Sequence, residues 1–272
     1  MYKTFFMKLF LLFVLFIGVN FASYADSSLE GHYQGKNLFV QNPDDEDDFG
    51  FCITSVTVNG NPVSDGIESS AFEIDFTEFN VKIGDPVFIV LIHGSGCKPK
   101  VLNQEVLKPK STFEIVSILC KSDGRMSWIT KNESGKLAFV IEQFRWNRWV
   151  VLGEVNGDGS VKENHYNFVV TPHSGENKVR VTQTDYTNNK RPSQSVSFIN
   201  TSIIEPQFSP KRVKKIIKFT ASGKPIETKY EIFDALGNIV KKGFSSEADC
   251  TNLKKAAYYI NYDNKSEKFI KS

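Results

Sequence analysis

Short segments in which apolar and polar residues alternate recur through this chain of 272 residues. Residues 37–40, 51–58 and 72–76 alternate in this way, as half-buried strands do, because successive side chains on a strand point to opposite faces of the sheet. The sequence nowhere sustains the i, i+3, i+4, i+7 apolar spacing of an amphipathic helix. The pattern therefore predicts an all-β chain.

Two local signals in the first third of the chain sharpen this prediction. Asn59 and Gly60 directly follow an alternating segment and predict a type I′ hairpin turn, because both central residues of that turn need a positive φ. Residues 87–92 form an apolar run without alternation. Such a run predicts a central strand that is covered on both faces.

The predicted strands fall into three blocks, residues 29–110, 111–200 and 205–272. A linker punctuated by Pro206 and Pro210 opens the third block. Blocks rich in β-branched and aromatic residues, with glycine and asparagine at the turns, predict tandem immunoglobulin-like β-sandwiches. The five basic residues within 211–218 predict the solvated face of an edge strand, with binding of acidic lipopolysaccharide or of a partner as the alternative.

The second block carries the clearest series of strands. Trp128 lies on a short early strand, and apolar strands at 139–144, 149–155, 166–170 and 178–183 follow it, separated by turns. This series resembles a fibronectin type III module, with Trp128 at the position of the buried tryptophan of strand B. The tyrosine that usually opens strand F is missing, and Lys178 or Val179 stands in its place.

The third block contains three pieces in a recognisable order. Residues 232–240 form a strand, turn and strand around Gly237, residues 249–258 match a segment ending in Leu-x-x-Gly-hydrophobic-Tyr, and residues 268–271 match a basic terminal strand. Together they resemble the type A C-terminal sorting domain of the type IX secretion system. The chain departs from that family at Ala256, where glycine is usual, and at Cys250, where a valine-like residue is usual. The family's opening proline-asparagine-proline pattern is also absent near residue 205.

The resemblance implies a sorting-domain-like β-sandwich over residues 205–272 that docks onto a partner. The residues it implies for docking are Asp234, Gly237, Leu253, Tyr258, Lys268 and Lys271. The implied partners are the outer-membrane shuttle barrel or translocon of type IX secretion and, with gliding motility, surface adhesins. We expect an exported, non-enzymatic accessory protein of that machinery. The alternative is secreted cargo that acts as a surface adhesin or glycan-binding module.

The first residues have the features of a signal peptide. Lys3 and Lys8 precede an apolar run at 9–19, and the small residues Ser23 and Ala25 follow it, which predicts a signal peptide over residues 1–25. The run is shorter than the about 20 apolar residues that cross a bilayer, so we expect no transmembrane segment after cleavage. The predicted location is the periplasm, the outer membrane or the cell surface.

The charge of the predicted mature chain is balanced. Cleavage removes two of the 33 Lys and Arg residues, so that the 31 Asp and Glu residues match the rest. A neutral chain has no overall field that attracts polyanions, and we expect no nucleic-acid partner.

We identify no catalytic or metal-binding constellation in the sequence. The four histidines, His32, His93, His165 and His173, are interpreted as isolated from other ligands. His93 and Gly94 resemble an oxyanion-hole element of α/β-hydrolases, but the chain has no G-x-S-x-G motif. Residues 154–160 resemble half of a calcium loop and are interpreted as a turn between strands. We therefore expect no catalytic residue, no metal and no cofactor.

Cysteines and tryptophans leave alternatives open. Cys52 and Cys97 share the first block and form either a disulfide or two small buried hydrophobic side chains, whereas Cys120 and Cys250 are expected to be buried thiols. Trp146 and Trp149 lie three residues apart and would face opposite sides of a regular strand. They are surface aromatics for carbohydrate stacking or, alternatively, ordinary packing residues at a strand edge.

Overall fold

A computed structural model describes residues 24–45, 50–64 and 66–272. Strands dominate these residues, as predicted, and the helical elements among them are two short 3-10 turns at Phe76–Phe79 and Gln104–Leu107. The predicted signal peptide lies outside the described residues, apart from Tyr24 and Ala25, which belong to the first strand. Within the described ranges, no helix has the length and hydropathy to span a membrane.

The first module is a pair of packed antiparallel sheets. Its strands are β1 Tyr24–His32, β2 Leu38–Gln41, β3 Ile53–Val58, β4 Asn61–Pro62, β5 Ala71–Ile74, β6 Pro86–Gly94 and β7 Lys100–Val101. One sheet has the order β1-β6-β3-β4 and the other β5-β2-β7. The core between them is aliphatic and aromatic, with Leu38, Val56, Ile74, Phe76 and Ile89 fully buried.

The structure confirms one local prediction in this module and corrects another. Asn59 and Gly60 have φ values of 51° and 81° and join β3 to β4 in the predicted tight turn. Strand β6 is an inner strand, but its burial alternates, because Val87, Ile89 and Leu91 are buried whereas Phe88 is 43% exposed. The prediction that both faces are covered was wrong, since the second sheet packs on one face only.

The second module has the strand order expected of a fibronectin type III-like sandwich. Its strands are β8 Glu114–Cys120, β9 Arg125–Lys131, β10 Ala138–Arg145, β11 Arg148–Asn156, β12 Asn164–Val169, β13 Gly175–Thr184, β14 Lys190–Pro192 and β15 Val196–Asn200. One sheet is β12-β9-β8, and the other is β11-β10-β13, with β14 and β15 both paired to β13. Trp128 is buried on β9, the second strand, and its ring stacks on Tyr166 at 5.3 Å.

The third module is a further sandwich with an aromatic core. Its strands are β16 Gln207–Ser209, β17 Arg212–Val213, β18 Ile216–Ala221, β19 Lys224–Pro225, β20 Thr228–Phe233, β21 Ile239–Ser245, β22 Glu247–Asp249, β23 Ala257–Tyr262 and β24 Lys265–Lys271. The larger sheet is β17-β24-β23-β20-β21, and the smaller is β16-β18-β19 with β22 also on β18. Phe219, Tyr262 and Phe269 lie between the sheets.

The basic segment after the linker occupies two different sheets. Its five basic side chains face solvent, as predicted. However, β18 is an inner strand, held between β16 and β22, so that the edge-strand prediction applies only to the short β17.

Candidate functional site

The turn between β20 and β21 is braced by one carboxylate. Asp234 accepts hydrogen bonds from the backbone N–H groups of Leu236 and Asn238, both at 2.9 Å, and from the Asn238 side-chain amide at 3.0 Å. These bonds, first among them that from Asn238, lower the pKa of Asp234. Gly237 has φ +85°, a conformation that costs glycine least. The braced turn presents Leu236, whose side chain is 87% exposed.

Strand β21 continues this surface as the outermost strand of its sheet. Ile239, Val240 and Phe244 are exposed along it. An outermost strand leaves a row of backbone N–H and C=O groups without a strand partner, which another polypeptide can pair with. The hairpin therefore combines exposed apolar side chains with a strand edge that pairs with no other described strand.

The other residues implied for docking differ in how deeply they are buried. Tyr258 is buried, stacks on Phe269 at 5.5 Å and donates from its hydroxyl to the Lys254 carbonyl at 3.0 Å. Leu253 packs against the edge of the same core, and Lys271 is buried on β24. Lys268 is exposed on β24, where it pairs in register with Tyr259. Three of the six implied residues, Asp234, Gly237 and Lys268, thus lie at the surface.

The two departures from the sorting-domain pattern sit in ordinary structural positions. Cys250 is a buried free thiol in the third core, and burial raises its pKa. Ala256 is exposed, and its carbonyl accepts the Lys271 N–H at 2.9 Å. Cys120, the other free cysteine, is buried too.

The two tryptophans of the β10–β11 hairpin have different surroundings. Trp146 lies in the turn at φ +53°, not on a strand, and its backbone N–H donates to Asn264 Oδ1 of the third module at 3.1 Å. Trp149 lies on β11 beneath the Arg180 guanidinium, which is 4.0 Å from its ring centroid. The expected geometry, with both rings on opposite sides of one strand, is therefore not present.

The second and third modules meet through charged groups beside Trp146. Arg148 forms an ion pair with the buried carboxylate of Glu231. Asp263 accepts hydrogen bonds from the Ser174 backbone N–H at 2.9 Å and its hydroxyl at 2.6 Å. Arg145 is buried nearby, and this burial lowers its pKa to about 10.

The first and second modules meet through glycines instead. A Cβ at Gly84 would lie 3.0 Å from the Glu133 carbonyl, and a Cβ at Gly135 would lie 2.6 Å from Pro109 Cβ and 3.0 Å from His32 Cγ. Gln34 donates to the Ser134 carbonyl across this junction. Backbone segments of the two modules therefore approach at distances that only glycine allows.

A buried carboxylate that the sequence reasoning missed lies behind this junction. Glu133 accepts hydrogen bonds from the hydroxyls of Thr130 and Tyr166, from the Asn164 amide and from the Gly159 N–H. All four donors are neutral, and Glu133 is buried. The loop that resembled half of a calcium site is thus held as a turn between β11 and β12.

Cys52 and Cys97 form a disulfide with a Cα–Cα distance of 5.8 Å. A ring nitrogen of His93 lies within 4.8 Å of both sulfur atoms. The sequence reasoning treated His93 as isolated, although Cys97 follows it by four residues and β3 pairs with β6 beside Cys52. A thiolate rather than a disulfide sulfur is the metal ligand, so this group has no metal-binding form while the bond is intact.

No protein-family model matches the chain, and neither does any curated protein. Among solved structures, the chain is similar to the BSP domain of a biofilm associated protein, with 10% identity, 92% of this chain and 63% of that chain covered, and a TM-score of 0.24. It is also similar to dimeric latent PorU from Porphyromonas gingivalis, with 13% identity, 91% and 31% covered, and a TM-score of 0.22. The FN1–FN3 domains of chicken CNTN1 give 10% identity, 91% and 95% covered, and a TM-score of 0.24. The chain spans less than two thirds of the first two proteins, and likenesses this low assign it no function.

Proposed function

We propose that the protein is an exported, non-enzymatic binding protein that docks through its third module onto the outer-membrane shuttle barrel or translocon of type IX secretion. The observation that carries the proposal is the braced β20–β21 hairpin, where Leu236 is almost fully exposed next to β21, whose outer edge pairs with no other described strand. Exposed apolar side chains next to a free strand edge are typical of a protein-protein interface. The order of sorting-domain-like pieces in this module supports the choice of partner.

The hairpin supports a docking role more directly than an enzymatic one. Its polar groups are engaged in bracing the turn, since Asp234 binds two backbone N–H groups and one amide. Such a surface offers shape, apolar area and backbone hydrogen bonds, which are the elements of strand addition. Surface adhesins of the gliding machinery are a further partner class under the same proposal.

The test is immunoprecipitation of the internally tagged full chain from detergent-solubilised envelopes of its native host. We expect an intact Ser272 by mass spectrometry and co-purified outer-membrane secretion components. Leu236→Asn should lose those components, whereas Ile199→Asn, an exposed apolar residue of the second module, should keep them.

The cargo alternative gives the opposite result in the same experiment. A chain truncated near residue 205, found at the cell surface without secretion components, would identify an adhesin or glycan-binding cargo whose third module is removed. In that case the function would belong to the first two modules.

A further inference from the structure

A groove of about 490 Å³ separates the outer strands of the second and third modules. One wall consists of Leu152 on β11 with Phe168 and Val169 on β12, and the other consists of residues 229–231 on β20 and 242–244 on β21. Both β12 and β21 are outermost strands of their sheets. None of the six residues implied for docking lines this groove.

The groove has exposed apolar side chains and borders β21, the outermost strand of its sheet. Val169 is 70% exposed and Phe244 is 53% exposed, so both walls of the groove present apolar surface to solvent. Gly243 has no side chain, and the Tyr230 ring packs where its Cβ would lie, 2.9 Å from the hydroxyl oxygen. The backbone edge of β21 that no described strand pairs with is the one facing away from β20.

The groove also has more positive than negative charge. Neither Lys229 nor Lys242 forms a hydrogen bond or salt bridge with a described residue through its ammonium group. Burial and the neighbouring Arg145, Lys242 and Arg148 lower the pKa of Lys229, and only Glu231 acts in the other direction. The Glu231 carboxylate is already paired with Arg148. An incoming carboxylate would relieve this repulsion.

We propose that this groove binds an extended acidic peptide segment of another protein. Its backbone adds along the outer edge of β21, its carboxylates pair with Lys229 and Lys242, and an apolar side chain packs between Val169 and Phe244. A peptide fits better than a polyanionic sugar because a strand edge offers alternating N–H and C=O groups that a peptide backbone complements. The site shares Phe244 and the outer edge of β21 with the hairpin surface, but it does not include the exposed turn at Leu236, and its partner is a different one.

The test uses fluorescence anisotropy with the full chain and a labelled short peptide in which valine and aspartate alternate. We expect this peptide to bind, and a peptide of alternating valine and lysine not to bind. Lys229→Gln with Lys242→Gln should weaken binding at least about tenfold, as expected for the loss of charge-assisted contacts. Rising salt should weaken binding as well, because it screens exposed charges.

Matched variants separate the groove from general charge effects. Lys241→Gln lies on the same strand, but its ammonium group donates to the Asp249 carbonyl and does not line the groove, so affinity should stay within about twofold. Val169→Glu places a like charge in the groove at an exposed position and should abolish binding without disturbing the fold. Leu236→Asn should leave peptide affinity unchanged, which distinguishes this site from the hairpin surface.

Three results would overturn the proposal. The first is that the valine-lysine peptide binds as tightly as the valine-aspartate peptide. The second is that affinity is unchanged in both the double lysine variant and Val169→Glu. The third is that polygalacturonate displaces the acidic peptide at equal carboxylate concentration. The last result would identify the site as one for acidic polysaccharide. Circular dichroism and the emission of Trp128 in the second core establish that each variant is folded.

Discussion

The two junctions between modules are built from different interactions. At the first, Gly84 and Gly135 let backbone segments meet at distances that a side chain would forbid. At the second, an ion pair between Arg148 and Glu231 and hydrogen bonds onto Asp263 join the modules. Steric contacts do not respond to salt or pH, whereas charges do. We therefore expect the first junction to respond less to salt and pH than the second, which is the one that a charged partner can influence.

The largest expected effect on stability comes from adding a side chain at the first junction. Gly135→Ala would combine an unfavourable φ of +140° with a clash against Pro109, and we expect a loss of about 4 kcal/mol in the unfolding free energy of the second module. Urea unfolding followed by tryptophan emission measures it, because Trp128, Trp146 and Trp149 all lie in that module. Gly175→Ala is the control, since it has φ +72° and open space, and it should cost about 1 kcal/mol. Equal costs would mean that the contact with Pro109 is not constraining.

Removing the buried carboxylate behind the same junction comes next. Glu133→Ala leaves the Gly159 N–H and the hydroxyls of Thr130 and Tyr166 without the acceptor they share, and we expect a loss of about 3 kcal/mol. The exposed Glu163→Ala should change stability by less than about 0.5 kcal/mol in the same unfolding experiment. A small effect of Glu133→Ala would show that water replaces the carboxylate, and the junction would then be less rigid than we infer.

Sequence patterns predicted local structure well and contacts between modules poorly. The Asn59-Gly60 turn and the strand content follow from neighbouring residues, since period and turn chemistry are local properties, whereas the burial of Trp128 was implied by the resemblance to a fibronectin type III module. The exposure of Phe88 could not be predicted, because an apolar run does not show whether a second layer of structure covers its outer face. Its exposure depends on where the other sheet lies.

The candidate sites show the same division. The braced turn at Asp234 and Gly237 is local, and its segment was recognised from the sequence. Arg148 and Glu231 lie 83 residues apart in the sequence, and no periodic pattern in the sequence indicates that they pair. Lys229 likewise belongs to the groove only because β12 of another module lies opposite. Functional surfaces between modules are therefore the hardest to predict from the sequence.

The second junction should be weaker and sensitive to salt. Arg148→Ala leaves the buried Glu231 carboxylate unpaired, and because Arg148 is itself partly exposed we expect a loss of about 1.5 kcal/mol. A double-mutant cycle with Glu231→Gln measures the coupling by urea unfolding at low and high salt. Lys218→Ala, from an exposed pair with Glu247 at 3.7 Å, should cost no more than about 0.5 kcal/mol. A coupling energy of zero at both salt concentrations would mean that this ion pair does not stabilise the junction.

The smallest expected effect is a pH dependence at the second junction. Burial, with a contribution from Arg145, lowers the pKa of His173 below its usual 6.5, although Asp263 and nearby carbonyls act in the opposite direction. Above pH 6.5 the histidine is neutral in both folded and unfolded chains, so its burial does not make the free energy of unfolding depend on pH. As the pH falls below that value, the unfolded chain binds a proton that the folded chain does not, and stability decreases by at most about 1.4 kcal/mol per pH unit.

Two substitutions assign this dependence to one side chain. His173→Gln should flatten the stability profile between pH 7 and the lowered pKa, while the exposed His165→Gln should leave it as in the wild type. His32 at the first junction is also shifted downward, by burial and by Lys136, but it is less buried, and its own substitution should flatten the profile less. If His32→Gln flattened the profile more than His173→Gln, the first junction would be the one that senses protons. The separation between a steric and an electrostatic junction would then be reversed.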